Sequence, residues 1–255
     1  MSMQRTANVR ETAREKLIVA LDVSTAKEAA NLVSTLRDRI GMFKVGSQLF
    51  TSTGPQVVRD IVSAGQRVFL DLKFHDIPNT VAAAGVEATR LGVSIFNVHA
   101  AGGKEMMRFT AEAVSREAET TGITRPAIIA VTVLTSIDAA TLAQTGLPSI
   151  PEDQVRRLTL LARESGLDGV VASPQEIELI RSLAPEEDFL VVTPGIRASD
   201  SDRHDQRRIM NPRQAIAAGA DYLVIGRPII GAADPEQAAE EVLEQIMMGL
   251  KERRM

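Results

Sequence analysis

The stretch Arg67-Val-Phe-Leu-Asp-Leu-Lys73, followed by the amphipathic segment Asn79–Leu91, is one unit of a repeating strand–helix pattern. A short apolar run bounded by turn residues predicts a buried strand, whereas a longer run with helical periodicity predicts a helix. The same alternation continues in both directions along the chain. It predicts a parallel sheet whose strands are joined by helices.

Eight strands are predicted in all, and each is followed by a helical pattern. The strand candidates are Leu17–Asp22, Met42–Gly46, Arg67–Lys73, Ser94–His99, Ala127–Val133, Gly169–Ala172, Phe189–Thr193 and Tyr222–Ile225. The helical patterns are Thr25–Arg37, Pro55–Ala64, Asn79–Leu91, Lys104–Glu119, Glu152–Ser165, Pro174–Leu183, Pro212–Ala218 and Pro235–Lys251.

Eight βα units in a chain of 255 residues predict a single-domain (β/α)8 TIM barrel of the α/β class. The alternative is an open, doubly wound nucleotide-binding sheet. That alternative is disfavoured because the first strand runs into Leu21-Asp22-Val23-Ser24, without the glycine-rich turn G-x-G-x-x-G. We expect residues 1–16 to form a loose polar arm and residues 17–255 to form the barrel.

Composition excludes several classes of function. Lys and Arg are not concentrated in any segment and the net charge is −4, so no nucleic-acid partner is expected. The chain has no cysteine, which excludes disulfides, thiolate nucleophiles and Cys-ligated zinc. No run of eighteen apolar residues predicts a membrane span, and the polar residues 1–16 lack the core of a signal peptide. The cytoplasm is the predicted location.

Charged residues stand at strand ends, where barrels of this kind hold their active sites. Alternation along the third strand places Asp71 and Lys73 on one face, and the same parity turns Asp22 and Lys44 into the barrel. Unpaired charges would be costly there, but mutual pairing keeps each group ionised. A structural ion-pair network is the alternative interpretation. The position at the catalytic end of a barrel favours an active site.

A second group of polar residues follows the last two strands. Thr193-Pro-Gly-Ile-Arg197 leads into a polar stretch, 198–208, and Gly226-Arg227-Pro228 opens the final helical segment. Loops after strands seven and eight often build phosphate sites, and an arginine offers a fork of donors to phosphate oxygens. An ordinary helix start is the alternative explanation. We expect a phosphate site here, with the polar stretch acting as a lid.

No metal is expected. His75, His99 and His204 lie far apart, without the spacing typical of metal ligands. Thr135, just beyond the fifth strand, is either a hydroxyl at the edge of the core or a contact to the polar edge of a ligand.

The run from Asp71 to Thr80, DLKFHDIPNT, closely resembles the signature of the orotidine 5′-phosphate decarboxylase family in its bacterial branch. The resemblance runs from about Leu17 to the final helix. Further blocks appear in order: Val19-Ala-Leu-Asp22, Phe43-Lys-Val-Gly46, Asn97-Val-His-Ala100, Val131-Thr-Val-Leu-Thr135, Thr193-Pro-Gly-Ile-Arg197, Asp205-Gln-Arg-Arg208 and Val224-Ile-Gly-Arg-Pro228.

The resemblance implies a carboxy-lyase that converts orotidine 5′-monophosphate to UMP and CO2 in de novo pyrimidine biosynthesis, with no cofactor and no metal. Lys44, Asp71, Lys73 and Asp76 would form the catalytic array, with Lys73 stabilising and protonating the carbanion at ring carbon C6. Asp76 and Thr80 would reach into the active site of a partner subunit. A homodimer with shared sites is therefore expected.

The resemblance also assigns residues to the substrate. Asp22 and Lys44 would bind the ribose hydroxyls, and Asp71 would lie near the departing carboxylate. Thr135 would contact the edge of the pyrimidine. The remaining contacts would be made by Gln206, which bridges base and phosphate, and by Gly226, Arg227 and Arg197, which hold the phosphate.

Two other functions are consistent with parts of this pattern. A sugar-phosphate decarboxylase or aldolase on the same scaffold shares the D-x-K-x-x-D run but needs Mg²⁺ bound by a carboxylate at the end of strand two. Lys44 stands there and would repel the metal. A catalytically silent protein that binds a phosphorylated metabolite would be expected to lack a member of the charged array, and all four are present.

Overall fold

The computed structural model describes residues 2–196 and 210–253, and for residues 2–7 it describes the backbone alone. Its strands are β1 Leu17–Ala20, β2 Met42–Gly46, β3 Val68–Phe74, β4 Ile95–His99, β5 Ala127–Val131, β6 Gly169–Val171, β7 Leu190–Pro194 and β8 Tyr222–Ile225. Its helices are α1 Ser2–Lys16, α2 Ala26–Leu36, α3 Ser47–Thr53, α4 Gln56–Ser63, α5 Pro78–Arg90, α6 Gly103–Thr121, α7 Ala139–Gln144, α8 Pro151–Glu164, α9 Ile177–Leu183, α10 Pro212–Ala218, α11 Arg227–Ile230 and α12 Pro235–Arg253.

The eight strands form a closed parallel barrel, hydrogen-bonded in the order in which they occur in the chain, from β1 to β8. The predicted (β/α)8 TIM barrel is therefore confirmed. The predicted strands match the observed ones to within one or two residues at each end, which is the usual uncertainty of strand limits. The short helices α3 and α7 were not predicted, because each is a single small unit inside a connection between longer elements.

Two compact units make up the chain, one from residues 1–69 and 193–255 and the other from residues 70–192. In the first unit, β1 pairs in parallel with both β2 and β8, and Ala20 is in register with Lys44. All four residues of β1 are buried. This pairing brings the ends of the first, second and eighth strands side by side.

The second unit contains the consecutive parallel pairs from β4 to β7. Asn97 is in register with Ile129 of β5, and Val171 of β6 is in register with Val192 of β7. Apolar side chains fill most positions of these strands, as expected for parallel strands buried on both faces. A polar residue inside such a strand therefore needs a specific explanation.

Residues 1–16 were expected to form a loose polar arm, and most of this segment is helical. Residues Ser2–Lys16 form α1, where Ala13 is fully buried and the Arg10 guanidinium lies 2.7 Å from the Glu240 carboxylate of α12. A Cβ at Gly41 would lie 2.6 Å from the Cα of Glu15, so the chain passes very close to this helix. The segment is polar but rich in good helix formers, and packing against the barrel stabilises it.

No helix within residues 2–196 and 210–253 has the length and apolar character needed to cross a lipid bilayer. The division into an arm, residues 1–16, and a barrel domain, residues 17–255, stays a prediction.

Candidate active site

Lys44 and Asp22 form a charge pair at the strand ends of the first unit. The Lys44 ammonium lies 3.3 Å from Oδ1 of Asp22, which follows β1 by two residues. Lys44 is only 8% exposed, whereas the Asp22 side chain is about half exposed. Burying a charged group is costly unless it is paired, and Asp22 supplies a partner for Lys44. The predicted pairing of these two residues is present.

Gly46 is a residue of this group that the sequence analysis did not identify. An ideal Cβ at this position would lie 2.8 Å from Nζ of Lys44, so the ammonium occupies space that any other side chain would fill. Residues two apart in a strand point to the same face, which was the available signal. Gly46 therefore determines where the Lys44 charge can lie.

The turn after β8 lies directly against the end of β1. A Cβ at Gly226 would lie 3.1 Å from Oδ2 of Asp22 and 3.3 Å from the Cβ of Ala20. Gly226 is the N-cap of α11, and the exposed Arg227 is the first residue of that helix. Glycine is needed here because the backbone approaches Asp22 so closely. The structure thus brings Gly226 and Asp22 together.

A second charge pair lies at the end of β3, in the other unit. The Lys73 ammonium donates to Oδ1 of Asp71 over 2.6 Å. The Asp71 side chain is 14% exposed and that of Lys73 is 34% exposed. The short distance confirms that these residues share one face of β3. The ion pair holds the Lys73 ammonium at a partly exposed position.

The backbone of Lys73 is in the left-handed region, with φ at 53°. Among the residues that the structure describes, Lys73 is the only one other than glycine with a positive φ. This conformation costs a side-chain-bearing residue on the order of 1 kcal/mol, so contacts elsewhere must maintain it. Strain of this kind is concentrated at functional sites.

Asn97, in the middle of β4, contacts both members of this pair. Its Oδ1 accepts the backbone N–H of Lys73 at 2.8 Å, and its Nδ2 donates to Oδ1 of Asp71 at 2.7 Å. Asn97 is fully buried. In the sequence, Asn97 was noted only as part of the block Asn97-Val-His-Ala100, without a role of its own. The available signal was a polar amide between apolar neighbours in a buried strand.

Two histidines lie beside the Lys73 pair. The ring centroids of His75 and His99 are 5.5 Å apart. Burial lowers the pKa of His99 below its usual value, and the nearby charges of His75 and Lys73 lower it further, against the opposing effect of Asp71. His99 is therefore neutral at pH 7 and adds no cation to the group. Within the described part of the chain, no cluster of three or more His, Asp or Glu side chains could hold a metal ion.

Asp76 and Thr80 lie apart from these contacts, on the exposed turn and first helical turn after β3. Oδ1 of Asp76 accepts the backbone N–H of Ile77 at 2.6 Å, and Ile77 itself is 66% exposed. Thr135 is exposed in the turn after β5. The predicted phosphate contact Arg197 and the predicted bridge Gln206 lie outside the described residues.

A closed parallel βα barrel with paired lysines and carboxylates at its strand ends defines a barrel enzyme. The family model described as Orotidine 5'-phosphate decarboxylase / HUMPS family matches residues 15–242. The chain belongs to this family. The expected carboxy-lyase of pyrimidine biosynthesis is confirmed at this level.

Individual relatives agree with the family match. An orotidine 5′-phosphate decarboxylase from Geobacter sulfurreducens is 56% identical over 240 residues, which is 94% of this chain and 99% of the relative. One from Moorella thermoacetica is 53% identical over 94% of this chain and 95% of the relative. The crystal structure of the orotidine 5′-phosphate decarboxylase from Lactobacillus acidophilus has a TM-score of 0.79 at 35% identity, covering 90% of this chain and 98% of that one.

Proposed function

We propose that this protein converts orotidine 5′-monophosphate to UMP and CO2 without a cofactor, and that Lys73 stabilises and protonates the C6 carbanion. The observation that carries the proposal is the Lys73 ammonium, 2.6 Å from Asp71, in a chain that belongs to the decarboxylase family. The Asn97 contacts to both residues support the view that this charge is fixed in place before a substrate arrives.

The chemistry calls for such a charge. Loss of CO2 from C6 leaves an electron pair in the plane of the pyrimidine, where the π system cannot delocalise it. A positive charge placed in advance where the negative charge develops lowers the barrier, because little reorganisation is needed during the reaction. The C6–carboxylate bond breaks, the electron pair stays on C6, and a proton moves from Nζ of Lys73 to C6. Solvent then returns a proton to the lysine.

Asp71 has two roles in this proposal. Its carboxylate holds the Lys73 ammonium in place, because the two groups lie at hydrogen-bond distance. It also lies near the substrate carboxylate and disfavours the bound ground state, a repulsion that disappears as CO2 leaves.

The remaining residues bind the substrate in this proposal. Asp22 and Lys44 bind the ribose hydroxyls, a role supported by their pairing at the ends of β1 and β2. Gly226 and Arg227 bind the phosphate, since an exposed arginine beside a bare backbone turn suits an anion. On the resemblance alone, Thr135 contacts the pyrimidine, Gln206 bridges base and phosphate, and Arg197 assists Arg227.

We further propose a homodimer in which Asp76 and Thr80 complete the partner subunit's active site. The exposure of both residues supports this arrangement. Ile77 lies between them along the chain and is 66% exposed, so this segment also offers an apolar side chain to a partner subunit. The expected cytoplasmic location stays a prediction.

The direct test follows the loss of absorbance of orotidine 5′-monophosphate, with and without a metal chelator. We expect turnover to UMP at the same rate in both conditions. No turnover would contradict the proposed function. Chelator-sensitive turnover, or activity on a sugar phosphate in its place, would favour the metal-dependent alternative that the buried ammonium of Lys44 argues against.

A further inference from the structure

We propose that Asn97 is a positioning residue for the decarboxylation, which holds the backbone of Lys73 and the carboxylate of Asp71 in their reactive arrangement. This inference rests on the proposed function. It assigns a role to a buried residue of β4 that has no contact with the substrate in the proposed reaction.

Asn97 first restrains the backbone of Lys73. A lysine at φ 53° is held away from its preferred conformations and can relax unless a contact opposes the change. Its N–H donates over 2.8 Å to Oδ1 of Asn97, a side chain on the neighbouring strand β4. Rotation toward an ordinary extended φ would turn this N–H away and leave a fully buried amide oxygen without this donor. The bond therefore opposes relaxation of Lys73.

Asn97 also restrains the carboxylate of Asp71. Its Oδ1 receives the Lys73 ammonium at 2.6 Å and the Asn97 amide at 2.7 Å. Two donors on one oxygen fix the position of the carboxylate. Without the amide, the carboxylate would lose one of these donors and could rotate with the lysine.

The two contacts also explain why residue 97 is an asparagine. The Asn97 amide offers an acceptor to a backbone N–H and a donor to a carboxylate from one rigid group. Aspartate has the same shape but puts a second negative charge next to Asp71. The immediate neighbours Phe96 and Val98 are fully buried apolar residues, so nothing else about this part of β4 calls for a polar side chain.

The variants Asn97→Ala and Asn97→Asp test the proposal, with Thr110→Val as the matched control. Thr110 is also fully buried in this unit, but its hydroxyl donates within its own helix, to the carbonyl of Met106. We expect Asn97→Ala to lower kcat at least about 10-fold, as for loss of one hydrogen bond to a charged group, with KM little changed. Asn97→Asp should lower kcat at least as much. Thr110→Val should keep its kcat even if its melting temperature falls.

The control variant separates positioning from a general loss of stability. A kcat of Asn97→Ala within about twofold of the unmodified protein, or a loss of kcat that Thr110→Val shares, would overturn the proposal.

Amide hydrogen exchange without substrate tests, independently of catalysis, whether Asn97 holds the Lys73 backbone. The Lys73 amide should exchange at least about 10-fold faster in Asn97→Ala than in the unmodified protein, with little change in Asn97→Asp, which keeps an acceptor. Equal exchange in Asn97→Ala would overturn the proposed hold on Lys73. If the unmodified protein lacks turnover but its Lys73 amide still exchanges more slowly than that of Asn97→Ala, the proposed function is contradicted. The proposed hold of Asn97 on the Lys73 backbone would remain supported.

Discussion

Lys73 combines a charged side chain with a backbone conformation that most residues avoid. The contacts that compensate for this come from two neighbours, Asp71 at the ammonium and Asn97 at the amide N–H. The sequence predicted that Asp71 and Lys73 share a face, because alternation along a strand follows from position alone. It could not predict the left-handed φ or the Asn97 contacts, because these depend on how β3 and β4 align and on local dihedral angles.

Lys73→Ala should abolish most of the activity. We expect kcat to fall at least ~10²-fold, by analogy with the loss of one donor that stabilises a developing negative charge. Steady-state assays against Lys104→Ala provide the comparison, since Lys104 is an exposed lysine paired with Glu164. Near-normal turnover of Lys73→Ala would overturn the role of Lys73, whatever the control shows.

Gly46→Ala should impair activity with little effect on folding. The backbone at Gly46, with φ −95° and ψ 178°, is accessible to alanine, so the melting temperature should stay close to that of the unmodified protein. The new methyl group would lie 2.8 Å from Nζ of Lys44 and displace the ammonium. We expect kcat/KM to fall by about 10-fold or more, since small displacements of a positioned group are costly. Unchanged kcat/KM relative to the exposed control Ser63→Ala would refute this.

At the scale of elements, the helix starts that follow strands carry several of the polar groups. Gly226 follows β8, lies close to Asp22 and is the N-cap of α11. After β6, Ser173 and Glu176 form a reciprocal capping box before α9. The sequence predicted the first of these as a ligand turn but gave no role to the second, because the burial of Glu176 depends on packing.

Arg227→Ala should weaken recognition of the phosphate. We expect kcat/KM for orotidine 5′-monophosphate to fall about 10- to 100-fold, the range for loss of a charge-assisted hydrogen bond. Turnover of orotidine, which lacks the phosphate, should change little. An equal loss on both compounds would show that Arg227 is not a phosphate ligand. Arg59→Ala, at an exposed position on α4, is the control.

Glu176 should make the folded state less stable as the pH rises. Burial raises the pKa of its carboxyl group from 4.5 to about 7, against a hydrogen bond from the Ser173 N–H, and the charge of Glu152 contributes to the rise. Between these two pH values the folded state binds more protons than the unfolded state, so the free energy of unfolding falls with increasing pH.

The variant Glu176→Gln should remove this dependence, because glutamine keeps an acceptor for Ser173 and cannot ionise. At pH 8 we expect a gain in stability on the order of 1 kcal/mol over the unmodified protein, measured by chemical denaturation. At pH 4.5 the difference should disappear. The exposed Glu178→Gln is the control. A gain that is constant across this pH range would contradict the ionisation argument.

At the scale of the whole molecule, the βα alternation was enough to predict a barrel, since eight short apolar runs separated by helices have few other solutions. The sequence did not predict α1, whose stability depends on contacts with α12 that are remote along the chain. Local composition cannot report such contacts. The proposed dimer lies at this scale too, because it depends on a surface rather than on any single element.

Shared active sites can be tested by mixing two inactive variants, Lys73→Ala and Asp76→Ala. A hybrid dimer would contain one site with both native residues and one site with neither. After subunit exchange at equal amounts, we expect about a quarter of the normal activity to return, because half of the dimers are hybrids with one intact site each. A mixture in which one partner carries both substitutions should stay inactive. No recovery after proven exchange would contradict sharing.

The packing of α1 on α12 has a practical consequence for anyone who shortens this chain. The family match spans residues 15–242, so trimming to those limits would delete the buried Ala13 together with Leu243, Ile246 and Leu250. The truncated protein would expose apolar patches to water, and such patches favour aggregation during expression. Truncations should therefore keep both terminal helices whole.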